Sequence, residues 1–373
     1  AKFSQNYEIL TDRIAKAIRE NRHKAASSRT TRQKRIEIST DQQPGSRKKK
    51  AYTTIKKQLY YEGKTGLAES KGFQKKELAD LACNIGNICQ FGCSFCYVPA
   101  IVRKQKNVQE VLHEGYGWDD ISHYRTKENV MKCVERDLRK IRPDDKRTVI
   151  FCTTCDPCAT KEHADITSSA ILLIMKRSDL QVRVLSKSTL IFDIAEELDE
   201  YRDRIVYGLS TGTIRPEISA CIEGNASPIE ERLETLNLLQ EAGYRTFGML
   251  CPILPSEMPH LEKLVKAINP DRCEHVWAEA INRRGKSLEK TRDQLKQCGL
   301  DTDAQLLEDV MEDRDIWRGY SKDLYLMVRQ ELEKRGASDK LRYLQYVTRE
   351  PDDFKTFFKS QKGALLLGEK ELT

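Results

Sequence analysis

From residue 78 onward, short apolar runs alternate with segments whose apolar residues recur at helical spacing. The runs Leu78 to Ile85, Thr148 to Thr153, Val182 to Ser186, Ile205 to Ser210, Thr246 to Ile253 and His275 to Ala280 predict six strands. Between them, Lys127 to Lys140, Ile166 to Lys176, Ser188 to Glu200 and Pro228 to Ala242 predict helices. Such alternation implies βα units and a parallel α/β sheet. Upstream, Ile9, Leu10, Ile14, Ala17 and Ile18 mark an amphipathic helix over residues 6–24. Ala25 to Lys50 has few large apolar residues and a Gln-Gln-Pro-Gly turn at residues 42–45, so no packed element is expected there. Beyond Leu300 the pattern is helical, clearest over Ala304 to Met311 and Tyr320 to Lys334, with turns at Pro351 and Gly363. The expected divisions are an N-terminal extension (1–77), a βα domain (78–299) and a helical C-terminal region (300–373).

Composition narrows the class. A hydrophobic content of 39% over 373 residues can bury a substantial core. There is no run of about 18 apolar residues and no leader-like start, so neither a membrane span nor a secretory peptide is expected. The net charge of +7 is uneven. Between Arg22 and Lys57, twelve Lys and Arg face only Glu37 and Asp41, a local charge of +10, and the rest of the chain sums to −3. This basic stretch includes Arg47, Lys48, Lys49 and Lys50, and Tyr52, Tyr60 and Tyr61 lie close by. Cations among aromatic rings suit phosphate contact and base stacking; the alternative is a solvated linker.

The chemistry concentrates at Cys89, Cys93 and Cys96, spaced C-x3-C-x2-C. Soft thiolates suit iron, and one tight loop can hold three irons of a [4Fe–4S] cluster while the fourth stays open to a small chelating molecule. A structural zinc site would usually collect four ligands in paired knuckles. With the aromatic Phe95 just before the last cysteine, the motif resembles that of the radical S-adenosylmethionine (SAM) superfamily. The resemblance implies a [4Fe–4S] cluster and SAM as cofactors, and cleavage of SAM to methionine and a 5′-deoxyadenosyl radical. It also implies an incomplete (β/α)6 barrel of the TIM type with its ligands at the C-terminal ends of the strands. A low-potential cluster points to a reducing, cytoplasmic setting and to an electron donor such as flavodoxin or ferredoxin.

Further motifs narrow the resemblance. Cys152-Thr153-Thr154-Cys155-Asp156-Pro157, Leu185-Ser186-Lys187-Ser188, Pro228 to Gly243 and Gly248 to Pro255 together resemble the spore photoproduct lyase-like branch, over residues 78–285. That branch implies that Tyr97, Cys155, Asp156, Lys187 and Ser210 line the SAM site, with Cys155 and Tyr97 catalytic. Lys187 offers a compact cation to a carboxylate, Ser210 a hydroxyl and Tyr97 a ring; the alternative for each is an ordinary strand-end residue. One position departs from the branch. Thr153 stands where the lyase has its hydrogen-donating cysteine, and Cys152 is expected inside the strand, facing away. Cys155 or Cys158 then remains as a substitute donor.

The spacing of Cys152, Cys155 and Cys158 also admits an auxiliary cluster recruiting Cys83 or Cys133, the alternative being small buried hydrophobes. Glu279, Asn282, Arg283 and Arg284 at the end of the sixth strand suit a polar or phosphorylated substrate, or else form a solvated loop. Glu162 and His163 are similar candidates after the second strand. The expected function is hydrogen abstraction from a nucleic-acid base or nucleotide, in DNA modification or repair. The alternatives are a radical SAM enzyme acting on a small metabolite or peptide, and a nucleic-acid-binding iron–sulfur redox sensor.

Overall fold

The structure is a computed structural model and describes residues 56–281 and 285–368. The expected N-terminal helix, the run Arg47 to Lys50 and residues 282–284 lie outside the described residues. In chain order the first strands are β1 (Lys57–Tyr61), β2 (Ala68–Glu69), β3 (Leu81–Cys83), β4 (Gly86–Ile88), β5 (Ile121–Arg125) and β6 (Thr148–Phe151). There follow β7 (Gln181–Ser186), β8 (Ile205–Ser210), β9 (Arg245–Ile253), β10 (Cys273–Ala280), β11 (Leu341–Tyr346) and β12 (Ala364–Leu367).

Strands β1, β5 and β4 form a small sheet, and the other nine a large one in the order β12-β11-β10-β9-β8-β7-β6-β3-β2. Its pairings from β3 to β12 are parallel, and the short β2 edge is antiparallel. Because spatial neighbours follow sequence order, right-handed crossovers lay the helices on one face and the sheet curls around the other. Threonine caps set the helix starts. Thr126 and Thr160 each accept the N–H three residues on, at 3.2 Å, opening helices Lys127–Leu138 and Lys161–Arg177.

Alternation along the strands sorts side chains between the two faces. Ile205, Tyr207 and Leu209 of β8 join the main core beneath the helices, while Val206 joins Phe247, Met249, Trp277 and Leu344 on the concave side. Lower in that concavity, the Arg183 guanidinium lies 4.9 Å from the Trp277 ring and 5.5 Å from the Phe247 ring, and donates to the carbonyls of Glu77 and Leu78. Gly208 leaves room for Phe247, whose ring would stand 2.4 Å from an added Cβ. The plug fills the lower part of the curl and leaves the strand ends lining a mouth.

The six expected strands are present as β3 and β6 to β10, and β8 matches end to end. Four features differ from the sequence reading. The C-terminal region contains helices Asp301–Glu312, Arg314–Glu333 and Asp352–Lys359, but it also supplies β11 and β12, which continue the sheet and cover the edge of β10. The fold starts before residue 78, since β1 pairs with β5 and Lys56 is buried with its ammonium donating to the Cys89 carbonyl at 3.0 Å. The first barrel strand stops at Cys83, and β4 of the small sheet intervenes before the cysteine loop. Cys221 and Cys298 form a disulfide, and the other ten cysteines are free. No helix among the described residues is long and apolar enough to cross a membrane.

Candidate active site

The cysteine loop leaves β4 and is clamped from three directions. Ser94 donates its N–H to the Ile222 carbonyl at 2.8 Å, and its hydroxyl lies 3.1 Å from that of Thr291. Asn225 donates to the carbonyls of Phe91 and Gln90 at 3.0 and 3.1 Å. Gly92 takes a left-handed backbone (φ +69°), which lets the loop turn between Cys89 and Cys93. The three thiols border a cavity of about 240 Å³ at the C-terminal ends of the strands. Among the described residues, no three His, Cys, Asp or Glu side chains converge as a single metal ion would require; these thiols surround space instead.

The loop after β6 forms the next wall. The strand ends at Phe151, so the alternation expected to turn Cys152 away no longer applies; Cys152 lines the cavity beside Cys155, its hydrogen-bond neighbour. Burial pushes the Cys155 thiol well above its ordinary range, so it stays protonated. Thr153 also lines the cavity but is tied to Asn84, which accepts its N–H at 2.6 Å and donates to its hydroxyl at 3.0 Å. Cys158 is entirely buried in the core. Asp156 joins two strand ends, accepting from the Ser186 hydroxyl (2.7 Å) and from the N–H groups of Cys158 and Lys187 (2.8 Å each).

Lys187 sits in a network that the sequence did not reveal. Its ammonium donates to Ser210 Oγ at 2.6 Å and lies 3.1 Å from the Glu223 carboxylate, with the Phe95 ring centre 5.2 Å away. Glu223 is 4% exposed and also accepts from the Arg232 guanidinium and from the Ser219 hydroxyl at 2.6 Å, while its own carbonyl lies 3.6 Å from the Cys93 sulfur. Burial alone would raise the Glu223 carboxyl, but Lys187 and then Arg232 outweigh it and hold the group at about 2. Arg232 is entirely buried behind Glu223, so Lys187 is the cation of this group that lines the cavity, with the Asp156 carboxylate beside it.

Lys76, Tyr97 and Glu279 also line the cavity, with Tyr346 beside Lys76. The Lys76 ammonium hydrogen-bonds Tyr346 and lies 5.9 Å from the Tyr97 ring centre. Burial opposes its charge, but the Glu279 carboxylate overcomes this and raises its pKa. The structure therefore gathers Cys89, Cys93, Cys96, Tyr97, Cys155, Asp156, Lys187, Ser210 and Glu279 around one cavity. Asn282, Arg283, Arg284 and the run from Arg47 to Lys50 fall outside the described residues. His163 is elsewhere, buried and stacked 3.5 Å from the Tyr124 ring; Glu162 lies on the surface, accepting from Tyr60 at 2.8 Å.

A sequence description of the radical SAM superfamily matches residues 83–268. The chain belongs to the radical SAM superfamily. A spore photoproduct lyase mutant shares the fold at 12% identity and a TM-score of 0.55, covering 80% of this chain and 86% of that one. A second mutant of that lyase, with bound AdoMet and dinucleoside spore photoproduct, matches at 13% identity and a TM-score of 0.53 over the same shares. An uncharacterised protein of Acidianus two-tailed virus, ORF301, is 25% identical over 223 residues, 57% of this chain and 71% of its own length. The radical SAM cofactors are a [4Fe–4S] cluster and SAM. The donor set fits both groups: three thiols face one space, and the Lys187 ammonium at the cavity wall suits a carboxylate. Glu223 had no local signal, because its charged partners lie 36 and 9 residues away in sequence.

Proposed function

We propose that this radical SAM enzyme takes hydrogen from a nucleic-acid base or nucleotide, in DNA modification or repair. The observation that carries the reading is the shared cavity, which three loop thiols line together with Lys187 and Ser210. Cys89, Cys93 and Cys96 hold the cluster, which when bound and reduced supplies the electron that splits SAM into methionine and a 5′-deoxyadenosyl radical. Lys187 meets the SAM carboxylate and Ser210 fixes the lysine head. Tyr97 lies against the adenosine. Cys155 presents a protonated thiol whose hydrogen can pass to a substrate radical, taking the role that Thr153 cannot fill.

Support for a nucleic acid comes from the +10 stretch between Arg22 and Lys57 and from the dinucleoside carried by a protein of the same fold. A base turned out of its stack could enter a cavity at the strand ends, as could a small metabolite, which is the second reading. To separate them, the reconstituted and reduced protein is given SAM with duplex DNA, single-stranded DNA, RNA, free nucleotides or no addition, and 5′-deoxyadenosine is followed by chromatography. Stimulation by a nucleic acid supports the proposal, and SAM cleavage indifferent to every polymer and to free nucleotides overturns it.

A further inference from the structure

The spacing of Cys152, Cys155 and Cys158 resolves in the structure into a pair and a bystander. Cys158 is buried in the core, whereas Cys152 and Cys155 line the cavity and hydrogen-bond each other. The chain bends over Thr153 to Cys155, and this bend brings the two sulfurs together. The threonines between them are tied elsewhere. Asn84 accepts the N–H groups of Thr153 and Thr154 at 2.6 and 3.2 Å, and the Thr154 hydroxyl donates to the Gly86 carbonyl at 2.6 Å. The loop is thereby pinned to Asn84 and Gly86, with its two cysteines left in contact. Cys83 also lies near Cys152, but it is fully buried and does not line the cavity.

We propose that Cys152 and Cys155 work as a dithiol that is oxidised to a disulfide once in each catalytic cycle. The inference rests on the reading of Cys155 as the hydrogen donor to a substrate radical. A lone thiol that gives up its hydrogen atom is left as a sulfur radical after one transfer. Here a second thiol is in contact with it, at a spacing that a disulfide can close. Cys155 passes its hydrogen atom to the substrate radical and keeps one unpaired electron on sulfur. That sulfur bonds to the Cys152 sulfur, the Cys152 S–H bond breaks, its proton leaves to water at the cavity mouth, and one electron is released. The electron passes to the cluster held by the three loop thiols, which is one electron short once SAM has been split. Two thiols have then become one disulfide, with one hydrogen atom in the product, one proton in water and one electron on the cluster. An external dithiol restores the pair by thiol exchange. Cys155 is only half-buried, so the bond is within reach of a small dithiol entering by the mouth.

The test counts thiols and 5′-deoxyadenosine on the full chain. The cluster is reconstituted and reduced, and the excess reductant is removed. SAM is then added anaerobically with duplex DNA, single-stranded DNA, RNA or free nucleotides, with or without dithiothreitol. Without dithiothreitol, the substrate-stimulated yield is expected to stop at about one 5′-deoxyadenosine per chain, each matched by a Cys152–Cys155 disulfide in peptide mass mapping. With dithiothreitol the yield should continue through many cycles. Cys152→Ser should stop after about one cycle in either case and form no disulfide. In a second arm, the variant Cys89→Ala, Cys93→Ala, Cys96→Ala, which lacks the cluster ligands, is oxidised with diamide and should pair Cys152 with Cys155.

Substrate-stimulated 5′-deoxyadenosine with Cys152 and Cys155 still free overturns the dithiol and leaves the nucleic-acid reading intact, as do repeated cycles in Cys152→Ser. In the second arm, a disulfide between Cys152 and Cys83, or none at Cys152, also overturns it. SAM cleavage indifferent to every addition overturns the nucleic-acid reading instead, and the second arm then decides the dithiol.

Discussion

A lysine at a strand end is ordinarily solvated, yet Lys187 is held between a serine hydroxyl and a buried carboxylate. Lys187→Ala removes the head and leaves Glu223 facing the incoming SAM carboxylate. SAM affinity should fall about 10- to 100-fold, the worth of a hydrogen bond to a charged group, as read by calorimetry. Removing Glu223 acts on the fold instead: Glu223→Ala leaves Arg232, which is entirely buried, without its anion. The expected loss is about 3–5 kcal/mol in urea unfolding, and a loss below about 1 kcal/mol would contradict the network described here.

His163 makes a different prediction. Burial lowers its pKa from 6.5 to about 4, so the unfolded chain binds the proton more tightly. Its contribution is fully present above pH 6.5 and is lost as pH falls toward 4, up to about 3 kcal/mol. Unfolding free energies measured across that window should flatten in His163→Phe. At this scale the sequence was readable where chemistry is local. Three cysteines within eight residues mark one loop, and the structure brings Lys187, at the end of β7, to the same cavity. Glu223 and the orientation of Cys152 were not readable, since one depends on distant partners and the other on where β6 stops.

Strands buried on both faces read as apolar runs, which is why β6 to β10 stand out in the sequence. Strands β11 and β12 do not. Leu341–Tyr346 is interrupted by Arg342 and Gln345 and lies behind a twenty-residue helix, and Ala364–Leu367 is only four residues long. The β8 strand carries a testable constraint at Gly208. Gly208→Ala drives a methyl against the Phe247 ring and should cost about 1–3 kcal/mol as overpacking. Adding Phe247→Leu should recover part of that loss, because the two positions share one space. Thermal unfolding of the single and double variants checks the coupling, and strict additivity would contradict the plug.

Across the whole molecule, charge is divided between a basic N-terminal stretch and a domain of nearly balanced charge. Removing residues 22–55 should weaken DNA binding and flatten its salt dependence, by about 0.7–0.9 in log–log slope for each phosphate no longer neutralised. SAM cleavage without DNA should persist, since the cavity residues all lie beyond that stretch. Fluorescence titrations over a salt series measure the slope, and an unchanged slope would make the stretch a linker.

The most direct test of the central claim is isotope transfer. Base-deuterated DNA is turned over anaerobically with SAM, and the 5′-deoxyadenosine formed is analysed by mass spectrometry. Hydrogen abstraction from the nucleic acid predicts a gain of deuterium that is absent in the Cys89→Ala variant. 5′-Deoxyadenosine formed in the presence of this DNA but free of deuterium would contradict it.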